Sequence, residues 1–206
     1  PDGKVAEGTY DYVLGIDKNG QSLGVSYTLT EINLIKTLDI EEEGDMIGRL
    51  TGTGNLSVSN ALTLKERTEV NGFNDFTGTT TVTGTGTLTA EANTLGTEDA
   101  HTSVLNVNAS GTFTNAGDNV VGSIDVAGTM KLDKGNTLVV KGGDSNAISG
   151  TVSGLGSLNL EAGKLAIDSN ATAEGYSGAI TLGTVDGSGA ILSIDNLAGF
   201  GTGTIG

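Results

Sequence analysis

The chain has no cysteine and no tryptophan, a single proline, and four tyrosines and four phenylalanines as its whole aromatic complement. Without cysteine there is no disulfide framework and no thiolate zinc site. Such a chain fits the cytosol, or a protein that stays unfolded to thread a pore and folds outside. One proline excludes a proline-rich linker or collagen. No tryptophan is present to serve as the core landmark of an immunoglobulin sandwich. Aromatics at 4% leave no platform for stacking sugars or bases. Positive charge is scarce: 10 Lys and Arg stand against 25 Asp and Glu, a net charge of −15. That balance opposes broad contact with nucleic acid or anionic lipid. It suits a solvated acidic exterior that resists edge-to-edge association. No apolar run nears the roughly 18 residues that cross a membrane as a helix. Pro1-Asp2-Gly3 is not a natural start, and the expectation is a fragment whose targeting signals lie elsewhere.

What is abundant is glycine, 34 of 206 residues, with Thr, Ser and Asn filling much of the rest. Two stretches follow one pattern. In 52–90, Gly52, Gly54, Leu56, Val58 and Phe76-Thr77-Gly78 align with Gly154, Gly156, Leu158, Leu160 and Tyr176-Ser177-Gly178 of 154–192. A repeat of this kind bears on the whole fold. Short apolar pairs recur throughout, among them Leu62/Leu64, Ile124/Val126, Met130/Leu132, Leu138/Val140, Leu165/Ile167 and Ile180/Leu182. Strands this short pair usefully only with copies of themselves above and below. Three of them and their corners make a rung of about 20 residues, so the chain is expected to be all-β, a stacked β-solenoid. Roughly nine or ten rungs would give a rod about 45 Å long. Alternation places Val, Ile and Leu inside and Thr and Asn outside. Immunoglobulin-like sandwiches, the other all-β reading, need longer strands.

Residues 1–50 differ from 51–206. They carry Tyr10, Tyr12 and Tyr27 and less glycine. Residues 9–16 and 23–29 alternate as strands around Asp17-Lys18-Asn19-Gly20, and Asn-Gly is a strong hairpin turn. Thr28 and Glu31 have capping-box spacing, but the alternation through residue 40 favours strands over a helix.

Residues 48–90 and 150–206 resemble passenger domains of autotransporters, the type V secreted surface proteins of Gram-negative bacteria. The carrying features are LTGTGNLSV, LTL, DFTGTTTV and TGTGTLTAEANTLG. The opening GTYDYVLGIDKNGQSLGVSYTLTEINLIKTLDI is similar to the segment that leads into this repeat in AIDA-type adhesins. The resemblance implies a right-handed parallel β-helix at the cell surface, exported through a C-terminal outer-membrane barrel in cis. It also implies adhesion, aggregation or biofilm formation. Partners would be a host surface ligand (a glycan or matrix protein) or a second copy on another cell. A stalk or autochaperone-like folding segment is the alternative.

No catalytic or cofactor-binding residue is expected. The sequence of 201–206 fits Gly-x-Gly-x-x-Gly, but a dinucleotide site needs a helix and a downstream acid. Gly143-Asp144-Ser145-Asn146 lacks the last glycine of a serine-protease signature, and His101 is the only histidine available as a base. His101 could join only carboxylates around a metal. Asp39, Glu41, Glu42, Glu43 and Asp45 form the candidate divalent-cation cluster, without EF-hand spacing. A glycan-cleaving β-helix would need carboxylates with a base in a groove, whereas Lys65, Arg67, Lys131, Lys134, Lys141 and Lys164 are scattered. Asn55, Asn108 and Asn170 fit the N-glycan acceptor pattern, which an Asn/Ser/Thr-rich chain meets by chance.

Overall fold

A computed structural model of the chain describes residues 3–16, 23–143, 145–185, 188–194 and 204–205. Among these residues every regular element is a strand. The first two are long and antiparallel. β1 (Ala6–Ile16) runs against β2 (Leu23–Leu34), with Tyr12 opposite Tyr27 and Leu14 opposite Val25. The alternation around the Asn-Gly signal is therefore realised as a hairpin, and the expected turn at 17–20 lies outside the described residues. The Leu-rich segment stays extended as the end of β2 and as β3 (Thr37–Ile40).

From β3 onward almost every pairing is parallel, and the strands coil into a β-solenoid of about eight turns with three sides. One side stacks β3, β6 (Asn55–Val58), β8 (Thr80–Val82) and β10 (Thr102–Val107). It continues through the second half of β12 (Asn119–Val126), then β15 (Asn146–Ile148), β18 (Lys164–Ile167) and β23 (Ile191–Ile194). The next side stacks β4 (Gly44–Met46), β7 (Ala61–Leu64), β9 (Thr87–Ala90), β11 (Thr112–Asn115), β13 (Thr129–Leu132), β16 (Thr151–Gly154) and β19 (Thr172–Ala173). The remaining side begins with β2 and β5 (Arg49–Gly52). Higher up it holds the first half of β12, β14 (Thr137–Val140), β17 (Ser157–Leu160), β20 (Ala179–Leu182) and β24 (Thr204–Ile205). A short antiparallel pair, β21 (Thr184–Val185) with β22 (Ser188–Gly189), decorates the last described turn. The stack is shorter than spacing alone predicted. The hairpin takes the first 34 residues, and the excursions at 65–79 and 91–101 lengthen the early turns.

Alternation sets the interior. Val58, Val82, Val107, Val126, Ile148 and Ile167 form one buried column, and Leu62, Leu88, Phe113, Met130 and Val152 another. Each fully buried aliphatic side chain stabilises the fold by roughly 1.5–3 kcal/mol. The expected division into apolar inside and Thr/Asn outside fails in part. Thr80, Thr94, Thr102, Asn74, Asn115, Asn119, Asn146 and Arg67 are buried. Arg67, Asn74 and Thr94 lie where the second and third turns lack a strand on the third side, and there they and Asn119 hydrogen-bond backbone that no ladder reaches. Asn74 Oδ1 accepts Leu50 N at 2.8 Å, and its Nδ2 donates to Thr94 O at 2.7 Å. Asn119 Oδ1 accepts Thr94 N and Leu95 N at 2.8 and 3.0 Å. Together they form an amide ladder in place of a β-ladder.

The repeated glycines mark corners. Gly52 and Gly154 adopt left-handed φ values of 93° and 98°, which any side chain would strain. A Cβ on Gly78 would fall on the carbonyl of Gly54, and one on Gly178 on that of Gly156.

Candidate functional site

The outward side chains of the rod are the first place to look. On the side built from β4 to β19 alternate positions of each strand point out. Thr87, Thr112, Thr129, Thr151 and Thr172 pair rung to rung in one column. Beside it run Asp45, Thr63, Thr89, Thr114, Lys131 and Ser153. Hydroxyls repeat every ~4.8 Å along the rod because strands stack at that spacing. Most of these threonines are half-exposed, and Thr151 Oγ1 meets Thr172 Oγ1 at 2.9 Å. The side from β3 to β18 carries a mixed column: Asp39, Ser57, Thr81, Asn106, Asp125, then alanines. Outward Thr, Asn and Asp side chains thus line two sides of the rod.

Charged side chains tie turns together. Arg49 pairs with Glu31 at 3.1 Å and with Asp75, and its Nε donates to Phe73 O at 2.7 Å. Arg67 is buried and donates to carbonyls: Gly72 O at 2.9 Å, Ile47 O at 2.7 Å and Asn71 O. Burial, then the nearby Arg49, lowers its pKa from the usual value. The two arginines hold the 65–79 excursion against the second turn. A hydrogen bond from Lys65 keeps Glu91 below the ordinary carboxylate range, and Lys65 is raised in return. Lys141 is raised by Glu161 and then Glu98. Solvent screens these exposed pairs, so each adds little stability.

The excursion 91–101 is a finger folded over the third side. Its own Leu95 is buried, Asn93 takes a left-handed φ of 58°, and Thr97 N bonds Ala100 O at 2.8 Å. Its tip crosses later turns, where Glu98 pairs with Lys141. A cleft of about 430 Å³ lies between the finger and the outer surface of β12 and β14.

The nominated residues scatter. Asp39 sits on β3 and Asp45 on β4, two different sides, with Glu41, Glu42 and Glu43 fanned around the corner between them. Among the described residues no group of three or more His, Cys, Asp or Glu could hold a metal. His101 bridges back to Gly96, and its Nδ1 lies 3.1 Å from Thr97 O. In the Gly-Asp-Ser-Asn segment, Asp144 lies outside the described residues; Ser145 is exposed, and Asn146 turns inward to accept Ile124 N at 3.0 Å. Of 201–206 only 204–205 are described, as a rung strand. Asn55, Asn108 and Asn170 are exposed. Lys65 and Lys141 each meet carboxylates, whereas Lys131 pairs within its own corner with Asp133 at 2.8 Å. The residues that sequence reasoning missed are the buried asparagines, Arg67 and the finger. Nothing in composition separates an inward asparagine from a turn asparagine.

Two curated proteins of Escherichia coli K12 align with nearly the whole chain. The uncharacterized lipoprotein YdeK is 30% identical over 215 residues, 98% of this chain. The uncharacterized protein YuaQ is 28% identical over 216 residues, also 98% of the chain. The chain spans 15% of the length of each. No family model and no solved structure matches it.

Proposed function

We propose that this chain is a stretch of a non-enzymatic, surface-displayed passenger of a bacterial autotransporter, acting in adhesion, aggregation or biofilm formation. One observation carries the reading: two outward columns, mostly threonine, in register over five or six turns. Hydroxyls both donate and accept, so a repeated array of them can meet a polar partner at many weak points. Weak contacts sum along a rigid rod, as multivalency requires. The autotransporter-like repeat supports display outside the cell. The name of the relative YdeK, a lipoprotein, supports a place in the cell envelope.

The test is cell-based. Cells displaying the full-length protein are compared with cells carrying Thr89→Glu, Thr112→Glu and Thr114→Glu together, and with the matching serine variants. Clumping and attachment to plastic fall with glutamate and persist with serine if the ladder is the adhesive surface. Equal behaviour of all three strains would favour a stalk.

A further inference from the structure

The finger at 91–101 breaks the smooth rod on one side, and it is held there from several directions. Asn93 N donates to Asp118 O at 2.9 Å, and Asn93 Nδ2 donates to Arg67 O at 3.1 Å. Thr94 Oγ1 donates to Glu91 O at 2.8 Å, and Thr102 N closes the base on Leu95 O at 2.8 Å. With the Glu98–Lys141 pair at the tip, the finger is a fixed wall and the cleft beside it is preformed. Its volume of about 430 Å³ lies in the range of small-molecule sites. Binding there needs little ordering of the protein.

The lining selects a chemistry. The floor is aliphatic, Val139 of β14 with the nearly buried Val120 of β12. Around it stand Thr97, Thr137, Glu98 and Asp118. Glu98 is already balanced by Lys141, and Asp118 spends one oxygen on Thr137 N at 2.7 Å. The rim therefore offers acceptors, and hydroxyls that can turn either way, without a free cation. An anionic ligand would face two carboxylates, and a purely apolar one would strand the polar rim. The lining matches a ring with one C–H face and a belt of hydroxyl donors.

We propose that this cleft is a subsite for a neutral, hydroxyl-rich sugar ring within a glycan. The inference rests on the surface-recognition reading above and assigns it a ligand class and a location apart from the threonine columns. A single ring binds weakly, near the millimolar level, and a glycan contacting more of the rod binds tighter.

Saturation-transfer NMR on the chain tests this, with methyl glycosides of glucose, galactose, mannose and N-acetylglucosamine, and with methyl glucuronide as the anionic control. The expected result is transfer to at least one neutral glycoside, none to glucuronide, and amide shifts at Thr97, Thr137 and Val139. Val139→Arg, an outward substitution that fills the floor, should weaken binding about tenfold or more. Val139→Thr, which keeps β-branching and shape, should retain it and guards against a folding artefact. Lys164→Met, at an exposed position on another side of the rod, should leave it unchanged. No transfer from any neutral glycoside, or equal transfer with Val139→Arg, overturns the proposal. The cell-based readout is separate: clumping unchanged by the glutamate variants with intact sugar transfer would sink the adhesion reading alone, and clumping lost in those variants with no sugar transfer would sink the cleft alone.

Discussion

The two copies of the repeat, 52–90 and 154–192, share a sequence pattern yet occupy different sides of the solenoid. In the first copy Gly52 ends β5 and Gly54 precedes β6, which stacks through β8 and β10 onto Ile124–Val126 of β12. In the second, Gly154 ends β16 and Gly156 precedes β17, which stacks through β14 onto Asn119–Val121 of the same strand. The later block is rotated by one corner. What repeats is a rule for turning a corner: a left-handed glycine, a glycine pressed on the turn below, then an alternating strand. The copies also differ in what fills the gaps. The second and third turns lack a strand on the third side, where Asn74 and Arg67, with Asn119 of β12 above, bond the chain instead. The later turns run strands on all three sides.

Breaking the early filler should cost most. Arg67→Met strands the carbonyls of Ile47, Asn71 and Gly72. A loss of about 4 kcal/mol in urea unfolding is expected, since each unsatisfied buried group costs about 1–3 kcal/mol. Lys164→Met, at the exposed first position of β18, should shift stability by less than about 0.5 kcal/mol. Next come the shared corners. Gly78→Ala and Gly178→Ala should each cost about 3 kcal/mol through clash with the glycine carbonyl below. If only one variant is destabilised, the two corners do not obey one rule.

A smaller contrast separates the buried aromatics. Tyr176 donates its hydroxyl to Ala179 O at 2.9 Å. Phe76, its counterpart in the first copy, is fully buried and has no hydroxyl to place. Phe76→Tyr should cost about 2 kcal/mol by burying a hydroxyl, and Tyr176→Phe about 1 kcal/mol by losing a bond. Burial pushes the Tyr176 phenol up to about 12. Its folded pKa exceeds the unfolded value near 10, so in that window the unfolded chain binds fewer protons and stability falls as pH rises. The contribution is complete below pH ~10 and lost through pH ~12. Unfolding followed across this window should show Tyr176→Phe with a flatter profile than the parent.

Much of this architecture was legible before any coordinates. Apolar pairs at every second position, too short for hairpins, leave stacking as their way to satisfy backbone, and the pairs at Leu56, Leu62, Met130 and Leu158 all became rung strands. Gly-x-Gly marked the corners. The sequence could not say which side of the rod each corner serves, because that depends on how many residues the preceding corner consumed. It hid the asparagine ladder, since an asparagine bonding backbone inside looks like one bonding backbone in a turn. The finger was equally silent: Glu98 and Lys141 are 43 residues apart and meet only because turns stack. The acidic cluster read as one site because its residues are consecutive, yet a solenoid corner splays consecutive residues outward.

The central claim is in-register parallel stacking that aligns the threonine columns. Disulfide trapping tests it directly, because the parent chain has no cysteine of its own. Thr89→Cys with Thr114→Cys places the two thiols on directly paired neighbours, within the Cα separation of about 4.4–6.8 Å that a disulfide needs. Mild oxidation should link this pair rapidly and in high yield, while Thr89→Cys with Thr172→Cys, several turns apart, should stay reduced. Efficient linking of the distant pair with none in the adjacent pair would contradict the account.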